Sequence, residues 1–145
     1  MIAKRKLKAG PLAENMPNKR EQAVLNNGGI RVESVHYKFS ADAGAVGDIS
    51  FKRLLPAGAV VTGLILHEIA NFTSGGSATV TIKAGSTALS TAIAVASVAT
   101  GTTALASSAT AIPLAADSDI IMSIGTAALT AGELRVFVQY LMPND

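Results

Sequence analysis

Short runs in which apolar and polar residues alternate, separated by turns rich in glycine and proline, recur along most of this 145-residue chain. Alternation with a period of two is typical of a half-buried β-strand, because successive side chains of a strand point to opposite faces of the sheet. The first clear run has Val35, Tyr37 and Phe39 as its apolar members, and the second has Ile49 and Phe51. A chain built from such runs is expected to be all-β.

The middle of the chain continues the pattern with a longer apolar run. Residues 55–58, with the sequence Leu-Pro-Ala-Gly, place proline and glycine where a tight turn favours them, and they end the second strand. The following run, residues 60–70, is apolar on both faces, which predicts a central strand covered on two sides. Residues 73–76 (Thr-Ser-Gly-Gly) then predict a hairpin turn that leads into a strand over residues 78–82.

The stretch from residue 84 to residue 116 carries no charged side chain over 33 residues. Eleven of these residues are Ser or Thr, and Gly85, Gly101 and Pro113 interrupt them, so the stretch is too polar for a membrane span. Between residues 85 and 108 the period fits a helix as well as a strand, and we expect a loop with one short helix or strand. Three further strands are predicted, over residues 110–114, 120–124 and 134–141.

These runs amount to about seven short strands with turns every 8 to 15 residues, which predicts a small jelly-roll-like or Greek-key β-sandwich. The length suits one compact domain. The chain has 26 alanines and only six aromatic residues, so its core is expected to be thin. Oligomerisation is therefore expected to supply burial that the single chain lacks.

Residues 1–27 differ from the rest and are predicted to form an extended basic N-terminal arm, followed by the sandwich domain over residues 28–145. The first 25 residues hold six basic and two acidic side chains, a net charge of +4, whereas the remainder holds six and eight, a net charge of −2. Gly10 and Pro11 stand where a secretion signal would be apolar, so no such signal is expected. The basic residues are Lys4, Arg5, Lys6, Lys8, Lys19 and Arg20, and the predicted hinge is Asn26, Asn27, Gly28 and Gly29.

We expect this arm to dock in an acidic groove of a protein partner. Binding to nucleic acid through phosphate groups and a merely solvated tail are the alternatives. No aromatic residue lies among the cations, which argues against stacking on bases.

The sequence gives little support for catalysis. Without cysteine there is no disulfide, thiolate nucleophile or cysteine metal site. Neither His36 nor His67 has a carboxylate or a second histidine at ligand spacing, and Glu68 is expected to face away from its neighbour His67. Asp117 and Asp119 match only a fragment of a calcium loop, so an Asp-capped turn is expected. We therefore expect no enzymatic activity, catalytic residue, metal or cofactor.

Several segments carry a resemblance to a known family. Residues 34–39 (SVHYKF), 43–47 (AGAVG) and 55–61 (LPAGAVV) resemble decoration, or cement, proteins of tailed-bacteriophage capsids. Residues 72–78 (FTSGGSA) look like the central hairpin of such proteins, and residues 128–140 (ALTAGELRVFVQY) look like their final strand. The resemblance covers about residues 33 to 141 and consists of turn and strand patterns.

The resemblance implies a structural virion protein, made in the bacterial host cytoplasm, that forms a homotrimer on the capsid exterior. Such a protein decorates and stabilises the phage capsid by bridging major capsid protein subunits. It implies no catalytic residue, and we expect neither a membrane nor nucleic acid as a partner.

The alternative is a recognition module of a phage fibre or spike that binds a host glycan or another fibre subunit. Sugar sites usually present exposed aromatic side chains, for which Tyr37 and Tyr140 are the candidates here.

Overall fold

The computed structural model describes residues 29–99, 101–103, 105–106 and 111–143. The predicted arm and hinge residues Asn26, Asn27 and Gly28 lie outside the described residues, whereas Gly29 leads directly into the first strand. Within this part of the chain no helix is long and apolar enough to cross a membrane.

Strands dominate the described residues, as the alternating sequence predicts. The strands are β1 (Ile30–Lys38), β2 (Gly47–Leu55), β3 (Val60–Ser74), β4 (Thr79–Ala84), β5 (Thr87–Ala88), β6 (Ile93–Ala94), β7 (Gly101–Thr103), β8 (Ile112–Pro113), β9 (Ser118–Gly125) and β10 (Leu129–Leu141). A single helical turn, α1 (Phe39–Asp42), follows β1, and a 3₁₀ turn (Val95–Ser97) follows β6.

The strands form two antiparallel sheets that pack as a sandwich. Sheet 1 has the order β1-β10-β3, and both β7 and β8 pair with the far edge of β3. Sheet 2 has the order β2-β9-β4, and both β5 and β6 pair with the far edge of β4. If β5 and β6 are taken as one interrupted strand and β7 and β8 as another, this order is that of a jelly roll. The prediction of a jelly-roll-like all-β sandwich is confirmed.

An aromatic cluster anchors one end of the core. The rings of Tyr37 and Phe72 stack with their centroids 5.8 Å apart, and the Tyr37 hydroxyl donates a hydrogen bond of 2.7 Å to the Ala43 carbonyl. Burial, reinforced by the negative charge of Asp42, raises the pKa of Tyr37 to about 12. Gly132 has a φ of 140°, and a Cβ there would collide with the Phe72 ring. A side chain at this position of β10 is therefore excluded by both backbone and packing.

Two expectations about the middle of the chain are wrong. The turn over residues 73–76 does not close a hairpin, because β3 belongs to sheet 1 and β4 to sheet 2. Nor is β3 covered on both faces: Leu64 and Leu66 are buried, but Ile65 and Ile69 are 40% and 44% exposed. The apolar character of the outer face of β3 thus has a cause other than core packing.

The rest of the chain follows the sequence pattern more closely. Among the described residues between 85 and 108 there are three strands of two or three residues and the 3₁₀ turn, where the sequence predicts a loop with one short helix or strand. The last two strands lie where predicted, but β10 begins at Leu129, five residues before the predicted start at Leu134.

Candidate functional site

The outer face of sheet 1 carries several large apolar side chains, which together we call the apolar face. Phe137 and Leu141 are half-buried, and the polar residues Gln139 and Ser34 lie among the apolar ones. The members of the apolar face are Ile30, Val32, Ile65, Phe137 and Leu141. Ile30, Val32 and Ile65 are 65%, 52% and 40% exposed. In the strand register Ile30 lies opposite Leu141, and Phe137 lies between Ser34 on β1 and Ile65 on β3. An apolar patch spread over three neighbouring strands is typical of a surface that another protein covers.

The outer face of sheet 2 is mostly polar, and we call it the polar face. Its polar members are Asp48, Ser50, Thr81, Lys83 and Ser123, with Ile121 half-buried among them. One large apolar side chain of this face, Leu54 at the end of β2, is 56% exposed. The Lys83 ammonium lies 3.2 Å from an Asp48 carboxylate oxygen. A hydrogen bond from the Ser123 hydroxyl, followed by one from Lys83, lowers the pKa of Asp48 below its ordinary value of 3.8. These side chains satisfy one another at the surface, as expected of a face exposed to water.

The apolar face ends in a charged row across sheet 1. His36 on β1 lies opposite Arg135 on β10, which lies opposite His67 on β3. The His36 Nε2 atom is 2.7 Å from a carboxylate oxygen of Glu133. This partner is 97 residues away in the chain, so spacing along the sequence could not reveal it. His67 is exposed and Glu68 is half-buried, in agreement with the expectation that they face opposite sides.

A groove lies beside this row, where the edge strands β1 and β2 of the two sheets come together. Its volume is about 290 Å³. The side chains lining this edge groove are Ser34, Val35, His36, Phe51, Arg53 and Arg135. The register of β2 against β9 shifts between Ser50 and Leu54, so residues 51–53 bulge out of sheet 2. Lys52 at the centre of the bulge has a φ of 58°.

The bulge also forms an ion pair between the two sheets. The Arg53 guanidinium is 3.4 Å from a carboxylate oxygen of Glu33 on β1. Nothing in the sequence of β2 marks this bulge, because the residue with positive φ is a lysine rather than a glycine or asparagine.

The remaining candidate residues have structural roles or lie elsewhere. Asp117 accepts a hydrogen bond of 2.8 Å from the backbone N–H of Ala57, and Asp119 accepts one of 3.0 Å from Ser50. Asp117 thus stabilises the turn before β3, and Asp119 links β9 to β2. Lys4, Arg5, Lys6, Lys8, Lys19 and Arg20 lie outside the described residues, so the predicted docking arm stays a prediction.

The two tyrosines that a glycan-binding module would expose are buried. Tyr37 is 0% exposed and Tyr140 is 7% exposed. The sequence-based support for a sugar site on these rings is therefore lost.

Comparison with solved structures places the fold among chains of phage capsids. A chain in the capsid asymmetric unit of cyanophage Pam1 matches with a TM-score of 0.57 and 21% identity, over 99% of this chain and 100% of that one. A chain in the acidic stable capsid structure of the Helicobacter pylori bacteriophage KHP30 matches with a TM-score of 0.54 and 17% identity, over 79% of this chain and 89% of that one. No protein-family model and no curated protein matches the sequence. The protein thus has a fold that is found in chains of two phage capsids.

Proposed function

We propose that this protein is a structural virion protein that decorates and stabilises the outer surface of a phage capsid by bridging major capsid protein subunits. The observation that carries the proposal is the fold match with a chain of the cyanophage Pam1 capsid, which extends over 99% of this chain. The decoration-protein patterns in the sequence point to the same class. The role consists of burying surface between proteins, and we propose no enzymatic activity.

The apolar face supports this proposal because it gives the sandwich a surface suited to a neighbouring subunit of the shell. Removing apolar surface from water is favourable by about 25 cal/mol per Å², and part of this gain offsets the cost of association. The three most exposed members, Ile30, Val32 and Ile65, come from two strands that flank β10, so one partner surface contacts them together. The polar face would remain in solvent.

The proposal includes a homotrimer on the capsid exterior, with residues 1–27 of each copy reaching to neighbouring subunits. Three arms joined to one trimer bind cooperatively, because the first contact raises the effective concentration of the others. Ordering each arm costs conformational entropy, which its contacts must exceed. Light scattering of the full chain and of a chain that starts at Gly28 tests the trimer. If both chains are trimers, the oligomer interface lies in the body. If both are monomers, trimerisation takes place on the shell surface or not at all.

Co-sedimentation with capsid shells tests the function itself. The full chain is incubated with shells assembled from the major capsid protein of the same virus, and the bound fraction is measured against concentration. We expect saturable binding at a fixed ratio to the capsid protein and a higher temperature of shell disruption. Absence of binding would show the proposal wrong, and a glycan-array signal in that case would favour the recognition module.

A further inference from the structure

We infer that the edge groove binds a carboxylate group on the protein partner, an aspartate or glutamate side chain of a neighbouring subunit in the shell. The inference rests on the proposed function and names the chemistry by which the partner is recognised. It is carried by the charges around the groove and by the shape that the β2 bulge gives it.

One guanidinium of the groove has no carboxylate within ion-pair distance. His36 is hydrogen-bonded to Glu133, and Arg53 is paired with Glu33. Arg135, exposed beside them, makes no ion pair with any residue in the described part of the chain. A guanidinium presents several N–H donors in one plane, which suits a carboxylate held by two parallel hydrogen bonds. The donors of Arg135 are therefore available to a carboxylate.

Two apolar side chains in the lining suit an acidic side chain better than a small free anion. Phe51 of β2 and Val35 of β1 both line the groove, and both pack against the hydrophobic core. The methylene groups of a glutamate or aspartate can contact the half-buried Phe51 while the carboxylate reaches the guanidinium of Arg135. Ser34 lies at the same rim and provides a hydroxyl donor.

Arg53 also keeps donors that a ligand can use. One oxygen of the Glu33 carboxylate is buried without a hydrogen bond, although the Arg53 guanidinium lies 3.4 Å away. Because the Arg53 side chain is 57% exposed, other N–H groups of its five donors stay available for a ligand.

The same charges disfavour nucleic acid. A phosphate backbone gains affinity from several cations that replace its counterions. Here two carboxylates, Glu33 and Glu133, lie beside the groove and would repel neighbouring phosphates. A single carboxylate on a protein brings only one negative charge close to these glutamates.

Nuclear magnetic resonance titration of the isolated full chain tests the inference. The probes are the capped tripeptide acetyl-Gly-Glu-Gly-amide and its neutral counterpart acetyl-Gly-Gln-Gly-amide. We expect the acidic peptide to give saturable shifts at the amides of residues 34–36 and 51–53, with a Kd on the order of 1–10 mM. The neutral peptide should leave these amides unchanged.

Two variants separate the groove from general charge effects. Arg135→Gln should weaken binding of the acidic peptide about tenfold or more. Lys83→Gln removes the same charge from a residue of the polar face that does not line the groove, and it should have no effect. Arg53→Gln is not the main test, because it leaves Glu33 without its cation. A thermal melt checks that Arg135→Gln is folded.

Three results would overturn the inference: equal shifts with the neutral peptide, unchanged binding by Arg135→Gln, or tenfold tighter binding of a short oligothymidylate at the same amides. A chain that sediments with shells yet does not bind the acidic peptide overturns this inference and leaves the proposed function standing. A chain that binds the peptide through Arg135 but not the shells overturns the proposed function and leaves the carboxylate site standing.

Discussion

The two outer faces of the sandwich are made by strands of similar kind but have opposite chemistry. Both sheets turn buried apolar side chains toward the shared core, such as Val136 and Val138 from β10 and Met122 and Ile124 from β9. On the outside, sheet 2 presents a polar face whose side chains pair with one another, whereas sheet 1 presents the apolar face. An antiparallel sheet with one solvated side normally alternates apolar and polar residues.

This difference indicates that core packing alone does not account for the outer face of sheet 1. The core requires only the inward residues of β1, β10 and β3. An exposed apolar surface favours association, so we propose an assembly partner as the physical reason for it. The polar face serves as the internal control for this interpretation.

Removing residues 1–27 should have the largest effect on assembly. We expect the shortened chain to stay folded, as judged by circular dichroism, and to lose detectable shell binding, because the apolar face alone lacks the effective concentration that the arms provide. Co-sedimentation measures the loss. Retained binding would show that the arm is not the anchor and that the apolar face suffices.

A single charge on each face compares the two directly. Ile65→Asp places an unpaired carboxylate in the proposed contact and should weaken shell binding at least about 100-fold. The matched variant Thr81→Asp on the polar face should leave binding within about twofold, because that face is not covered. Both variants should cost about 1 kcal/mol of stability or less, since both positions are at the surface. Equal losses of binding by the two variants would remove the distinction between the faces.

Alkaline pH should weaken the core that the two faces share. Tyr37 has a pKa of about 12 in the folded protein and 10.0 ordinarily, so above pH 10 the unfolded chain releases its proton first and stability falls as pH rises toward 12. Tyr37→Phe should cost about 1 kcal/mol at neutral pH through loss of the hydrogen bond to Ala43, yet lose less stability than the wild type above pH 10. Urea unfolding at several pH values measures both. Parallel pH profiles would contradict the assignment to Tyr37.

The smallest expected effect lies on the polar face at acid pH. The pKa of Asp48 is lowered by Ser123 and Lys83, so its contribution is present above the ordinary value of 3.8 and is lost as pH falls through the folded value. We expect the Tm of the wild type to drop slightly more than that of Asp48→Asn below about pH 4 at low salt. Identical drops would mean that this exposed pair does not contribute to stability.

The inward half of the fold could be predicted from the sequence, because burial imposes a period of two. Val35 and Tyr37 on β1 and Ile120 to Ile124 on β9 show this period, and the structure has strands there. The pairing of strands that are far apart in the chain was harder to predict from the sequence. The turn at residues 73–76 signals a change of direction, but a turn signal carries no information on whether the next strand joins the same sheet or the opposite one.

The proposed interaction surface could not be predicted from the sequence for similar reasons. In the run around Ile65, apolar residues on the outer face look the same as core residues, so the sequence predicts burial on both faces where the structure has one face exposed. The pairing of His36 with Glu133 depends on β1 lying beside β10. The edge groove depends on a bulge centred on Lys52. Because lysine rarely has a positive φ, the residue type does not predict this bulge.

Cryo-electron microscopy of shells incubated with the full chain tests the central claim most directly. The account predicts jelly-roll densities on the outside of the shell at a fixed set of symmetry-related positions, with the apolar face of each copy buried against a neighbouring subunit and the polar face in solvent. Shells without added density, density on the inner surface, or bound copies whose apolar face remains in solvent would contradict it.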